Sequence, residues 1–375
     1  MRKAMGLAAV IMLAASVAHA GDYKPVVCSS VKPYAGAPRY AAPLNLGALP
    51  DWPEGAAPTP LAARLSATFT QARELTHAAS LDAAVGTPEG RWHQADSPKL
   101  YYWASAGKTF TAIAILQAAE AGKLKLEDPV SKWIDGVPNG DVITVGHLLY
   151  HTSGLFSANE DLVVRKGSRK LTLDEELKVL KRHGAMFCPG ENWRYSNSGY
   201  TLLGAILEKV EGKPYARVVT EGIIDRLGLK DIRVITPDDA LADIEPLVSQ
   251  SQEKAIDMRV PGPAGGIAAS SLSMIAVWQG LLSGRLLKPE TVQDMFDAPY
   301  PMFGQPMYYG QGVMVYRPPV KPGDAPILWL GHSGGAPGVK AVVVYSPADK
   351  AFAAVALTGD GSAEATAALL LKTLQ

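Results

Sequence analysis

The hydrophobic positions change their period along the chain, from a helical repeat in the middle to strand-like runs near both ends. After Ser105, apolar residues recur on one helical face until Gly122, and residues 198–212 show the same spacing. In the C-terminal quarter, apolar runs bounded by Pro and Gly turns are typical of strands, at 312–316, 327–331, 339–345 and 352–357. The pattern therefore predicts helices between two strand-rich ends.

Both ends of the chain contribute to one predicted sheet. Strands are predicted at 80–85 and 90–94, and helices at 61–77 and 363–374. Short connections between successive C-terminal strands favour antiparallel pairing. We therefore predict an α+β fold in which helices flank an antiparallel sheet and an all-helical lobe is inserted into the chain.

The composition agrees with a large folded unit. The chain has 375 residues, of which 47% are hydrophobic, so it can bury a sizeable core as one unit or two lobes. The predicted parts are an extended Pro-rich arm at 21–58, a sheet lobe at 59–120 and 262–375, and a helical lobe at 121–261.

The charge balance excludes one class of partner. Lys and Arg together number 36, as do Asp and Glu, so the formal net charge is zero. Because no global field attracts a polyanion or an acidic membrane surface, we do not expect a nucleic-acid partner.

The first twenty residues have the layout of a secretory signal. Arg2 and Lys3 precede an apolar stretch at 5–17, and Ala18 to Ala20 form a small-residue cleavage site. That stretch is too short to span a bilayer comfortably, and no later run is long enough. We therefore expect residues 1–20 to be removed and the protein to be exported, either periplasmic or secreted, without a stable membrane span.

Two cysteines are present, Cys28 and Cys188. Export would place them where a disulfide persists, and a bridge would tie the arm to the segment before Tyr195. Two unrelated thiols are the alternative, and the sequence leaves both possibilities open.

Ser105 and Lys108 form the first candidate catalytic group. Ser29 with Lys32 and Ser251 with Lys254 share the spacing, but only Ser105 opens a long apolar helix. A helix start stabilises negative charge at the serine, and a spacing of three puts Lys108 on the same face. A desolvated lysine can lose its proton and accept the one that the serine sheds. The alternative is a capping serine beside a solvated lysine.

Tyr195 and Asn197 form the second group, between a Pro-Gly turn and a helix. Residues i and i+2 of an extended segment face the same way, so both side chains can point into one pocket. A positive charge on Lys108 would favour the phenolate of Tyr195, which could then shuttle protons. Asn197 can hold a substrate carbonyl or Lys108. The alternative is a buried tyrosine and a turn asparagine.

The third group is the run of His332, Ser333, Gly334 and Gly335, which follows a predicted strand. Its glycines allow the backbone to approach a substrate, and a strand edge offers N–H groups to an oxyanion. The alternative is an ordinary glycine turn.

Two other motifs have competing interpretations. The Gly-x-Ser-x-Gly pattern at 331–335 would make Ser333 the nucleophile of an α/β-hydrolase, but that fold needs a following helix and a later His, and neither follows. His147 and His151 have the spacing of a zinc pair on a helix, but no Glu lies between them in the zincin position. We expect a structural role for them and no metal or cofactor.

These motifs resemble those of the serine β-lactamase and penicillin-binding superfamily, nearest to its class C-like branch of esterases, D-aminopeptidases and D-Ala-D-Ala carboxypeptidases. The three motifs are SAGK at 105–108, YSN at 195–197 and HSG at 332–334. Four further stretches fit the branch, at 126–130, 147–155, 263–266 and 309–312. The resemblance spans roughly residues 60–360 in family order and implies the same fold as the periodicity.

The resemblance implies a role for each residue. Ser105 would be the acylated nucleophile, Lys108 and Tyr195 the proton-transfer pair, and Asn197 a contact of the substrate and Lys108. His332, Ser333 and Gly334 would contact the substrate. The N–H groups of Ser105 and Gly335 would form the oxyanion hole.

One departure from the family bears on the substrate. His332 stands where β-lactamases usually have a lysine, and an imidazole is a weaker partner for a substrate carboxylate. We therefore expect a serine hydrolase that acts on small-molecule esters, D-amino-acid amides or peptides. The alternatives are a sensor of cell-wall peptides that is acylated slowly or not at all, and a class C-like β-lactamase. The oligomeric state is left open.

Overall fold

The computed structural model describes residues 23–375 except 42, 43, 45, 47, 51, 168, 250–253, 305, 318–326 and 360. The side chains of residues 166 and 167 are also outside the described part. The predicted signal at 1–20 and the serine of the Ser251–Lys254 pair lie outside the described residues. The strands are β1 Ser80–Thr87, β2 Gly90–Ala95, β3 Tyr101–Tyr102, β4 Ile232–Val234, β5 Ile267–Ala269, β6 Tyr300–Pro301, β7 Met307–Tyr309, β8 Met314–Tyr316, β9 Trp329–Ala336, β10 Val339–Ser346 and β11 Ala351–Thr358.

The helices come in groups between these strands and at the two ends of the fold. They are α1 Thr59–Thr76, α2 Lys108–Glu120, α3 Val145–Leu149, α4 Leu162–Gly167, α5 Leu173–His183, α6 Asn197–Glu211, α7 Tyr215–Val219, α8 Ser271–Leu282, α9 Pro289–Met295 and α10 Ala363–Lys372. None of the described helices is both long and apolar enough to cross a bilayer.

The main sheet is antiparallel throughout and joins the two ends of the chain. Its strand order is β2-β1-β11-β10-β9-β8-β7-β6, and β1 pairs with β11 from Ser80↔Thr358 to Gly86↔Phe352. Every residue of β1 and β11 is buried because both faces of the sheet are covered. The prediction of an α+β fold with helices flanking an antiparallel sheet is confirmed.

The two faces of the sheet carry separate cores. Side chains alternate along each strand, so Val342 faces α1 and α10 with Phe69, while Val343 faces the opposite core with Phe110 and Trp278. Helix α2 is buried on nearly every side, with α6 and α7 packed against it, which accounts for its predominantly apolar sequence. The 3-10 turn that precedes α2 packs against β9, so the start of the helix is fixed beside the sheet.

The segment predicted as the helical lobe, 121–261, contains α3 to α7 and also one short strand. β4 lies within it and pairs with β5 in a second, three-stranded sheet of order β3-β5-β4. These strands are two or three residues long and pair across long sequence distances, so no local periodicity marks them. The proposed lobe boundaries stay a prediction.

The N-terminal arm lies against the folded body. Val26 forms a β-bridge with Ala185, and Trp52 packs against the ring of Phe352 at 5.2 Å between ring centroids. Cys28 and Cys188, whose pairing the sequence left open, are joined by a disulfide. The arm therefore supports the segment that leads to Tyr195.

Candidate active site

Ser105 lies in a 3-10 turn, Ala104–Gly107, that connects β3 to α2. The sequence predicted that Ser105 opens the helix, whereas α2 begins three residues later at Lys108. Ala104 has a left-handed backbone with φ of 43°, which is uncommon for a residue other than glycine. The turn holds Ser105 partly exposed, directly before the positive end of α2.

Lys108 is fully buried and its amine is surrounded by three oxygen atoms. Nζ lies 3.3 Å from Ser105 Oγ, 2.7 Å from Asn197 Oδ1 and 2.6 Å from the carbonyl oxygen of Ala264. Burial lowers the pKa of Lys108 well below its ordinary value. The solvated lysine of the alternative interpretation is therefore excluded.

In its neutral form, the Lys108 amine is placed to accept the proton of Ser105. A neutral amine has two N–H groups and one lone pair. Asn197 Oδ1 and the Ala264 carbonyl oxygen can only accept, so they occupy both N–H groups. The lone pair is left for the Ser105 hydroxyl, which donates to it. The geometry is that of a nucleophile beside its general base.

Asn197 is the first residue of α6, and its amide is held in one orientation. Its Nδ2 donates to Asn159 Oδ1 at 3.0 Å, so its own Oδ1 faces Lys108. Its backbone N–H donates to Ser157 Oγ at 2.9 Å. The sequence did not identify Ser157 and Asn159, although they follow directly on the stretch 147–155 that resembles the family.

Tyr195 lies beside both Ser105 and Lys108. Its ring centroid is 4.8 Å from Lys108 Nζ, and its side chain hydrogen-bonds to Ser105. Burial raises the pKa of Tyr195 above its ordinary value, and the hydrogen bond to Ser105 only partly opposes this. The predicted stabilisation of a phenolate is therefore wrong. Tyr195 keeps its proton and can donate it.

Gly334 lets strand β9 pack directly against the Ser105 turn. A Cβ at Gly334 would lie 2.2 Å from the Trp103 carbonyl oxygen and 2.9 Å from Ser105 N, closer than real Cβ contacts. Gly335, the next residue, is exposed. The backbone of Gly335 thus reaches the open side of the site beside Ser105.

The His332 side chain is buried beside the site, and its predicted role as a substrate contact stays a prediction. It is 0% exposed; its Nε2 accepts a hydrogen bond from the Tyr309 hydroxyl at 3.0 Å, and its Nδ1 donates to the Ser333 carbonyl oxygen at 2.6 Å. Burial lowers the pKa of His332 to about 3. The neutral imidazole of His332 therefore joins β9 to Tyr309 in the buried layer beside the site.

Ser333 points to the other face of the sheet from His332 and Gly334, because strand residues alternate. It is 5% exposed, and its Oγ lies 3.6 Å from Met314 Sδ. Ser333 stands inside β9 and not at a strand-to-helix turn, so the α/β-hydrolase nucleophile hypothesis is wrong. The predicted contact of Ser333 with substrate is not evident from this buried position.

Two charged residues that the sequence did not identify flank the exposed end of β9. A Cβ at Gly335 would lie 3.6 Å from Lys340 Nζ. Glu364, in the first turn of α10, hydrogen-bonds to Ser333 and interacts with Lys340, and burial raises the pKa of its carboxyl. Glu364 and Lys340 therefore lie close enough to interact beside the exposed end of β9.

The candidate zinc pair has other partners. His147 Nδ1 accepts from the backbone N–H of Thr144 at 3.0 Å, which caps α3, and His151 Nδ1 accepts from the backbone N–H of Ser196 at 3.2 Å. Within the described ranges, no group of three His, Cys, Asp or Glu side chains is arranged to hold a metal ion.

Comparison with known proteins gives consistent matches. A family model described as Beta-lactamase matches residues 67–375. The putative penicillin-binding protein PbpX of Bacillus subtilis (strain 168) is 31% identical over 222 residues, which cover 57% of this chain and 53% of PbpX. Esterase EstB of Burkholderia gladioli is 33% identical over 204 residues, which cover 46% of this chain and 51% of EstB. The chain thus spans about half the length of these curated relatives.

A solved structure agrees with the fold. The D-stereospecific amidohydrolase from Streptomyces sp. superposes with a TM-score of 0.70 at 25% identity, covering 82% of this chain and 97% of that protein.

Proposed function

Since the chain belongs to the beta-lactamase family and is a serine hydrolase that acts by acyl transfer, we propose that it cleaves esters or D-amino-acid amides with Ser105 as its nucleophile. The observation that carries this proposal is the buried Lys108 amine, whose Nζ lies 3.3 Å from Ser105 Oγ and within hydrogen-bond distance of Asn197 Oδ1 and the Ala264 carbonyl oxygen.

Acylation begins when Ser105 gives its proton to Lys108 and its oxygen bonds to the substrate carbonyl carbon. Negative charge then develops on the carbonyl oxygen, and the N–H groups of Ser105 and Gly335 stabilise it. The leaving group departs with a proton from Tyr195, which recovers one from Lys108. Water then attacks the acyl-enzyme with Lys108 as base, which releases the acid and restores the Ser105 hydroxyl.

The charges around the site favour esters and amides over β-lactams. A β-lactam brings a carboxylate, but His332 is neutral and buried, so it supplies no permanent positive charge. Lys340 lies beside Gly335, but it interacts with Glu364 and is not free to pair with a substrate carboxylate alone. Similarity to an esterase and to a D-stereospecific amidohydrolase supports the same substrate classes.

A substrate panel tests the proposal. It compares a short-chain 4-nitrophenyl ester, D- and L-alaninamide and a chromogenic cephalosporin with the wild-type protein and with Ser105→Ala. We expect turnover of the ester or the D-amide, and Ser105→Ala to reduce it by at least about 10³-fold. Ser29→Ala is the matched control, because Ser29 also stands three residues before a lysine but lies exposed in the arm.

Three results would contradict the proposal. Full activity of Ser105→Ala would show that Ser105 is not the nucleophile. One equivalent of acylation without product release would favour a sensor, and faster turnover of the cephalosporin than of any ester or amide would favour a β-lactamase.

Export is part of the same proposal. The signal-like segment at 1–20 supports it, and the disulfide between Cys28 and Cys188 suits an oxidising compartment. Sequencing the N-terminus of the protein from fractionated cells should give a start at Gly21 outside the cytoplasm. An intact N-terminus found only in the cytoplasm would refute export.

A further inference from the structure

His151 is the buried residue of this site that the mechanism leaves without a role. It is 1% exposed and has a left-handed backbone with φ of 60°. Its ring lies among three tyrosine rings, with centroid distances of 4.2 Å to Tyr195, 4.6 Å to Tyr309 and 5.1 Å to Tyr200.

His151 also holds the backbone on both sides of Tyr195. The N–H of Arg194 donates to the His151 carbonyl oxygen at 3.0 Å, and the N–H of Ser196 donates to His151 Nδ1 at 3.2 Å. Residues 194, 195 and 196 thus all contact His151, through either its side chain or its backbone. Ser196 in turn caps α6, which begins at Asn197.

The hydrogen bonds define the tautomer of the ring. Nδ1 accepts from a backbone N–H, so the ring proton is on Nε2, for which the described residues offer no hydrogen-bond partner. Burial lowers the pKa of His151 well below its ordinary value, so the ring stays neutral. The ring therefore adds no positive charge near the amine that must accept a proton.

We infer that His151 is a positioning residue that sets the place of the Tyr195 hydroxyl through the backbone of Ser196 and through its ring contact. It does not contact the substrate. This inference rests on the proposed function, in which Tyr195 gives its proton to the leaving group. If the Tyr195 hydroxyl is displaced, the reaction should slow most for substrates whose leaving group must be protonated by Tyr195 as it departs.

Two variants separate the two contacts. His151→Asn keeps an acceptor for the Ser196 N–H and suits the left-handed backbone, but it removes the ring. His151→Phe keeps the ring and removes the acceptor. His147→Asn is the control, because His147 lies one helical turn earlier and caps α3 without contacting Tyr195.

The measurement is kcat and KM for two esters of one acid, one with 4-nitrophenol and one with a simple alcohol as leaving group. For His151→Phe we expect kcat to fall about 10- to 100-fold with the alkyl ester and less than about threefold with the 4-nitrophenyl ester, with KM little changed. His151→Asn should show a smaller loss of the same pattern. His147→Asn should lower the melting temperature without any leaving-group dependence.

Tyr195→Phe, measured beside these variants, distinguishes the failure of the inference from the failure of the proposed function. If Tyr195→Phe loses the alkyl ester selectively and the His151 variants lose both esters equally, the inference is wrong and the proposed role of Tyr195 stands. If Tyr195→Phe shows no leaving-group dependence, the proposed role of Tyr195 itself fails, and the inference fails with it.

Discussion

The two halves of this site are built differently. The helix-borne half consists of the side chains of Ser105, Lys108 and Asn197 at the starts of α2 and α6, and each has a defined hydrogen-bond partner. The strand-borne half, β9 from His332 to Gly335, presents backbone and close packing, and its His332 side chain is buried beneath the site. Activity should therefore depend on the chemical groups of the side chains in the helix-borne half, and on the small size of the residues in the strand-borne half.

The largest effect expected from this difference is at Lys108. Lys108→Arg keeps a positive charge and N–H donors, but a guanidinium does not give up its proton at neutral pH. We expect the acylation rate to fall by at least about 10³-fold, measured by single-turnover kinetics on the ester. Substantial activity of this variant would show that Lys108 acts through its charge alone.

Gly334→Ala tests the strand-borne half. The added Cβ would meet the Trp103 carbonyl oxygen, so β9 must move away from the Ser105 turn. Loss of one oxyanion donor typically lowers kcat by about 10²- to 10³-fold, and we expect a loss of about 10²-fold. Gly335→Ala is the matched control, because it keeps the backbone N–H and its Cβ would make only ordinary van der Waals contacts, 3.5 Å from the Lys340 side chain and 4.0 Å from the Val339 carbonyl oxygen, so activity should change little. Equal losses in both variants would contradict the comparison.

A pH-dependent stability difference should appear between the wild type and Lys108→Met. Because burial lowers the pKa of Lys108 in the folded protein, the unfolded state binds more protons between that pKa and 10.5. The wild type therefore loses stability as the pH falls through this window, and Lys108→Met does not. For each unit by which the pH falls, the free energy of unfolding of the wild type should drop by about 1.4 kcal/mol relative to that of Lys108→Met, measured by urea denaturation. A difference in stability that does not change with pH would show that Lys108 is charged in the folded protein.

The smallest kinetic effect is expected at His332. His332→Gln keeps an acceptor for the Tyr309 hydroxyl, and the side chain of His332 is buried. KM should change by less than about threefold for substrates with and without a carboxylate, while the melting temperature falls. A selective rise in KM for the carboxylate-bearing substrate would show that His332 is a substrate contact.

The sequence predicted the helix-borne half well because its signals are local. A serine three residues before a lysine at a helix start, and a tyrosine two residues before an asparagine in an extended segment, carry their geometry with them. The alternation along β9 is also local and would have placed Ser333 opposite His332. The position of His151 was not accessible, because it depends on a contact between residues 45 apart in the chain.

The central claim is that Lys108 is a neutral base in the resting protein, and titration of its side chain tests it directly. Lysine labelled with ¹³C at Cε reports the protonation of each amine by NMR, and Lys108→Met identifies the signal by its absence. We predict a midpoint well below 10.5 that coincides with the acidic limb of the acylation rate. A Lys108 signal that stays protonated at the pH where acylation is fastest would contradict the account.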